Sequence, residues 1–226
     1  MKKLFSVSFV LLSIVFNVCL IVSNILEVKL IAIGPIMATA GLLVFPVSYV
    51  INDCIVEVWG YRKACLVIWT GFAMNFFTVG LLQLGSVLPA APEWDGQAAY
   101  LRIFSATPRI AAASFLAFLT GSFLNAYVMS RMKVRSQGKH FSWRAIASTL
   151  VGESVDSLIF FPLAFGGVVS LPALLTLIAT QACMKTAYEI IALPLTTRVV
   201  KYIKRIDQTD VYDKKESYNP LKIRKR

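Results

Sequence analysis

The chain has 226 residues, of which 57% are hydrophobic and only 15% charged, with a formal net charge of +11. A water-soluble domain is roughly 45–50% apolar and about 25% charged, so these proportions exclude an ordinary soluble enzyme and a disordered chain alike. The excess of 23 Lys and Arg over 12 Asp and Glu would suggest nucleic acid in a soluble protein. In a membrane protein the same excess is the bias of cytoplasmic loops.

A hydrocarbon core of about 30 Å requires about 20 apolar residues in a helix. In chain order, six windows qualify: 4–26, 37–59, 64–88, 107–130, 143–169 and 172–200. The transmembrane domain then covers 1–203, and 204–226 is a basic cytoplasmic tail whose Lys and Arg are drawn to the inner leaflet. The fold class is an all-α polytopic membrane protein with six transmembrane helices. A β-barrel is excluded, because the apolar runs are continuous and do not alternate. Met-Lys-Lys before an apolar run imitates a signal peptide, but the run exceeds 20 residues and ends without a small-x-small site. It reads as a retained first helix. Several spans exceed the bilayer and must tilt. Pro46, Pro162 and Pro194 fall inside spans, where the carbonyls they free need partners on neighbouring helices. Gly71, Gly80, Gly121 and Gly152 are placed for close helix approach. Counting Lys and Arg between spans puts nineteen on the side of both termini and two, Lys29 and Arg102, on the other. Both termini are therefore cytoplasmic.

Cys19, Cys54, Cys65 and Cys183 lie in or beside apolar runs with no Cys-x-x-Cys spacing, and His140 is the one histidine. They read as small buried hydrophobes and not as metal ligands. The chain has no phosphate-binding Gly-x-x-x-x-Gly-Lys-Ser/Thr loop, His-Glu-x-x-His or Gly-x-Ser-x-Gly. No enzyme, metal or cofactor is indicated.

The informative residues are the acids inside spans: Asp53, Glu57, Glu153, Asp156 and Glu189. Each charge at mid-bilayer costs at least about 2.5–3.5 kcal/mol, and such residues mark functional paths by default. Asp53 and Glu57 are four apart, so they share a helix face with Tyr49, while Asn52 and Ser48 form a neighbouring polar row. Glu153 and Asp156 are three apart, with Thr149 and Phe160 on the same face. Lys185 and Glu189 are again four apart, which allows an ion pair within one helix. Arg109, near the outer interface, is either a snorkelling anchor or a counter-ion for Asp53 or Glu153. Asn17, Ser23, Asn24, Asn75 and Asn125 suit hydrogen bonding between helices. The acid pairs fall on the middle helices of two three-helix groups. Three is odd, so the groups run in opposite senses, the arrangement of a 3+3 inverted repeat with a midplane site. Clustered carboxylates suit a ligand with cationic or N–H donor groups. Tyr49, Trp59, Phe76, Phe77, Phe160 and Phe161 are candidate stacking faces, and protonatable acids would equally permit proton coupling.

Five segments carry a resemblance: FPVSYVINDCIVEVWGYRKA (45–64), RIAAASFLAFLTGSFLNAYVMSRMK (109–133), ASTLVGESVDSLIFFPLAF (147–165), MKTAYEIIALPLTTRVVKYIK (184–204) and DVYDKKESYNP (210–220). In this order they resemble the queuosine precursor transporters, also described as vitamin uptake transporters. The resemblance implies an inner-membrane importer of 7-cyano-7-deazaguanine and 7-aminomethyl-7-deazaguanine, salvaged for queuosine in transfer RNA. It carries substrate-binding or coupling roles onto Asn52, Asp53, Glu57, Arg109, Glu153, Asp156 and Lys185. The implied partners are a 7-deazapurine and the lipid bilayer, with no nucleic acid bound directly. The alternative is a substrate-binding membrane subunit for another small heterocycle or vitamin, dependent on a separate ATPase.

Overall fold

A computed structural model describes residues 6–33, 36–104, 108–167, 170–214 and 218–221. Among these, six long helices are divided three and three by a short one. The first group is α1 (Val7–Leu26), α2 (Phe45–Trp59) and α3 (Tyr61–Val87). After the amphipathic α4 (Gln97–Phe104) come α5 (Pro108–Arg135), α6 (Phe141–Phe165) and α7 (Leu171–Asp207). The expected span starts at 4 and 107 and the end at 169 lie outside the described residues.

Five helical stretches are long and apolar enough to cross a membrane: Val7–Leu26, Ala40–Trp59, Tyr61–Val87, Ala112–Arg135 and Phe141–Phe165. The sixth long helix, α7, has 37 residues and is diluted by Gln181, Lys185 and Glu189. At 1.5 Å per residue it is about 55 Å long, well beyond a bilayer core of about 30 Å.

The second span is shorter than its apolar run. Residues 37–44, expected to be helical, instead hold the end of an antiparallel hairpin and a turn: β1 (Leu30–Ile33) pairs with β2 (Ile36–Thr39), and a 3-10 turn follows over Ala40–Leu43. Pro46 lies in the first turn of α2, where no intrahelical partner is required of its nitrogen. It therefore frees no carbonyl, unlike Pro162 and Pro194, which are interior to α6 and α7.

Helix α2 is the hub. Twelve of its fifteen residues are buried, and it packs against α1, α3, α5 and α7 and touches α6. The outside of the bundle is apolar: Val7, Leu11, Ile14 and Val18 on α1 and Phe76, Phe77, Leu81 and Leu84 on α3 are all exposed. Phe76 and Phe77 thus face outward and are not stacking faces of an interior site. Asp53, Glu57 and Glu153, by contrast, are 1% exposed or less. An apolar exterior around an ionisable interior is the polarity expected in lipid.

Helices α5 and α6 form the most extensive pair. At their crossing, a Cβ on Gly121 would lie 2.8 Å from the Gly152 carbonyl, and one on Gly152 would lie 2.9 Å from the Gly121 carbonyl. The two backbones touch there, as small residues permit. Gly71 instead faces the side chains of Phe16 and Leu20 of α1, and Gly80 faces open space.

The segment after α7 folds back onto the basic end of the bundle. Val211 N–H donates to the Val58 carbonyl at 3.1 Å. Asp213 accepts from the Tyr61 amide at 2.9 Å, and Trp69 Nε1 donates to the Pro220 carbonyl at 3.0 Å. Gly60, with φ +84°, makes the tight turn between α2 and α3 that leaves the Tyr61 amide free for Asp213. A side chain 152 residues away thus caps the start of α3.

Candidate functional site

Lys185 is the centre of the first polar group. Its position on α7 faces the acid-bearing side of α6, so Nζ lies 2.8 Å from Glu153 Oε2 and 3.0 Å from Asp156 Oδ2. The ammonium also sits 4.0 Å from the centroid of the Phe45 ring. The ion pair open to Lys185 within its own helix, with Glu189, is replaced by one across helices. Asp156 and Lys185 line a cavity of about 20 Å³ together with Glu27, Gln181 and the rings of Phe45 and Phe160. Glu27 and Ser114 also line a second cavity, of about 50 Å³, between α1, α3, α4 and α5. The two share Glu27 and Ser114 in their walls. A space of 20 Å³ holds a water and not a bicyclic base, so this is a closed arrangement that must widen to admit a ligand.

Asp53 belongs to a second group. It accepts from Asn125 Nδ2 at 2.9 Å, and its carboxyl lies beside that of Glu189 on α7. The Thr149 hydroxyl of α6 lies beside Glu189. Asp53 does not line the cavity; it lies behind it. Tyr49, one turn earlier on α2, is buried among Glu153, Asp156 and Asp53, between the two groups.

Glu57 belongs to neither. One turn beyond Asp53, it meets Arg144 Nη1 at 2.7 Å and Lys204 Nζ at 2.6 Å, with Lys133 Nζ at 4.0 Å. Lys133 also donates to the Glu57 carbonyl and pairs with Asp210 at 2.5 Å, as Lys204 does at 2.9 Å. Burial raises the Asp210 carboxyl, but the hydrogen bonds from these two ammonium groups outweigh it and hold the group below the usual carboxylate range. Lys133 and Arg144, counted in the sequence as loop charges, are 2% and 1% exposed.

Two other expected site residues serve elsewhere. Asn52 Nδ2 reaches the Ser122 carbonyl on α5 at 3.4 Å, tying two helices. Arg109 Nε and Nη2 donate to the carbonyls of Leu163 and Gly166, each at 2.7 Å. It covers the C-terminal end of α6, and the structure gives it no carboxylate to pair with among the described residues.

The structure thus brings Glu153, Asp156 and Lys185 together, joins Asp53 to Glu189, and separates Glu57 and Arg109 from both. It adds Glu27 and Gln181, which the sequence reading missed. Gln181 is one turn before Lys185 on α7, a spacing that was available as a signal. Glu27 lies just past α1, outside the expected first span.

An apolar-skinned bundle of long helices with ionised groups at depth and a small internal cavity is the architecture of a multi-pass membrane transport protein. The chain belongs to the family described as "Putative vitamin uptake transporter", whose pattern matches residues 39–199. It is 28% identical over 184 residues to a protein of Bacillus subtilis named "Probable queuosine precursor transporter", covering 80% of each chain. It is 29% identical over 131 residues to the "Queuosine precursor transporter" of Escherichia coli, covering 56% of this chain and 55% of that one. A Haemophilus influenzae protein named "Probable queuosine precursor transporter" is 28% identical over 128 residues, covering 57% of this chain and 52% of its own length. No solved structure matches.

Proposed function

We propose that the protein imports the queuosine precursors 7-cyano-7-deazaguanine and 7-aminomethyl-7-deazaguanine across a bacterial inner membrane, for salvage into transfer RNA. Both termini face the cytoplasm in this reading, on the strength of the Lys and Arg bias, so the hairpin end faces outward. The relatives' names supply the substrate class. The observation that carries the reading is the Lys185 ion group opening on an aromatic-walled cavity. A guanine-like edge presents N1–H and an exocyclic amine as parallel donors, which suit a carboxylate such as Asp156. The ring lies against Phe45 or Phe160, Gln181 takes a remaining polar edge, and Glu27 accepts an aminomethyl ammonium. Asn52 and Arg109 support the site by fixing helices, and Glu57 by holding the cytoplasmic end together.

The test is rescue of queuosine in transfer RNA in a strain unable to make the precursor, at limiting external base. The wild-type chain restores the modification; Asp156→Asn does not, at unchanged membrane abundance. Failure of the wild-type chain to rescue would overturn the substrate assignment.

A further inference from the structure

Two buried carboxyl groups side by side, with no cation paired to either among the described residues, present a chemical requirement. Ionised carboxylates only accept hydrogen bonds, so the placement of Asp53 beside Glu189 needs a hydrogen between them. Both residues are buried, Asp53 at 0% and Glu189 at 3% exposure. No cation pairs with either among the described residues: Lys185 is held by Glu153 and Asp156, and Arg144, Lys133 and Lys204 gather around Glu57. The other groups facing the pair add no positive charge. They are Cys54, Glu57 and Tyr49 on α2, Asn125 on α5 and Thr149 and Glu153 on α6.

The buried Thr149 hydroxyl of α6 also lies beside Glu189. Asp53 Oδ2 and Glu189 Oε2 have no conventional donor. Polar atoms so deeply placed are rarely left in this condition without a role.

We propose that Asp53 and Glu189 form a proton-binding dyad, distinct from the substrate cavity, whose shared proton is carried inward with the transported base. The proposal rests on the importer reading above. The dyad bridges α2 and α7, and α7 also carries Lys185 four residues earlier. A base that draws Asp156 away from Lys185 therefore acts on the same helix that holds half of the dyad, with the Tyr49 ring between the two groups. The proton is taken from the outer side in the open state, retained between the two carboxyls on closure, and released to the cytoplasm when α7 moves and water reaches the pair. No other atom changes hands, and the charge moved per cycle is one proton.

Purified protein in liposomes tests this with 7-cyano-7-deazaguanine, under a clamped membrane potential. One proton per neutral base makes an inside-alkaline gradient of one pH unit worth about tenfold accumulation at equilibrium. Wild type should reach that and Glu189→Gln should lose it, keeping only exchange of base down its gradient. Gradient-independent wild-type uptake overturns the dyad. A second arm needs no substrate: the infrared spectrum at neutral pH should contain a protonated-carboxyl C=O band that is lost in both Asp53→Asn and Glu189→Gln. Its absence from the wild type also overturns the proposal. Its presence in a chain that takes up no base supports the proton site and places the failure in the assigned substrate.

Discussion

Lys185 shows how much one side chain can hold in a lipid-embedded interior. It neutralises two carboxylates at 2.8 and 3.0 Å, and removing one member of a buried ion group strands the others, at a cost of about 3–5 kcal/mol. Lys185→Met should therefore lower thermal stability in detergent sharply. The triple variant that also carries Glu153→Gln and Asp156→Asn should recover much of the loss, because the charges it would strand are gone. Lys185→Met as stable as wild type would mean that the ion group is solvated. Asp213 makes a smaller claim. Its carboxylate caps α3 through the Tyr61 amide and accepts from Ser130 Oγ at 2.5 Å. Asp213→Ala should cost about 1–2 kcal/mol, the worth of a good N-cap, read as a fall in the denaturation midpoint. At this scale the sequence was partly legible. The i,i+4 spacing correctly put Asp53 and Glu57 on one face of α2, but one helical turn separates them by about 5.4 Å along the axis. That turn is enough for different helices to claim them, α7 through Glu189 for one and α6 with α7 through Arg144 and Lys204 for the other.

Among the elements, the α5–α6 pair sets the depth at which the acids of α6 meet α2 and α7. Backbone contact at Gly121 and Gly152 leaves no room for a methyl group. Gly152→Ala should force the helices apart and destabilise by about 1–3 kcal/mol, as overpacking does. Transport should fall at the same time, since Asn125 and Asp53 also meet at this seam; Gly80→Ala, facing open space, should change neither and serves as the control. Long spans were readable because the bilayer imposes a length and an apolar composition on every crossing helix. The start of the second span was not, because an apolar strand pair and an apolar helix have the same composition over eight residues. The pairing of Leu30–Ile33 with Ile36–Thr39 decides between them.

For the whole molecule, the described parts of the C-terminal segment, 208–214 and 218–221, pack against the helical bundle. Asp210 ties Lys133 and Lys204 to the segment, and Tyr218 packs its ring against Tyr61 and Tyr127. Because the folded Asp210 carboxyl is held below its usual range, its contribution is present above the ordinary carboxylate value and is lost as pH falls through the lower, folded value. Protection of residues 208–214 from protease should therefore persist at mildly acidic pH and give way only in strong acid. Asp210→Asn should make the segment susceptible already at neutral pH. Equal cleavage of wild type and variant across this range would show that the aromatic contacts hold the segment alone.

Sequence by itself determined the class of this protein. A high apolar fraction and six long apolar runs follow from the cost of placing charge and unpaired backbone in hydrocarbon, which is a matter of composition and order along the chain. The same cost picked out five interior acids as the residues to explain. Their partners were decided only by the tertiary structure, because ion pairs and hydrogen bonds are fixed by which helix faces meet. Sequence spacing reports faces within one helix alone. Lys185 therefore pairs with α6 and not with Glu189, Glu189 lies beside Asp53, and two helix-end cations, Lys133 and Arg144, are buried against Glu57.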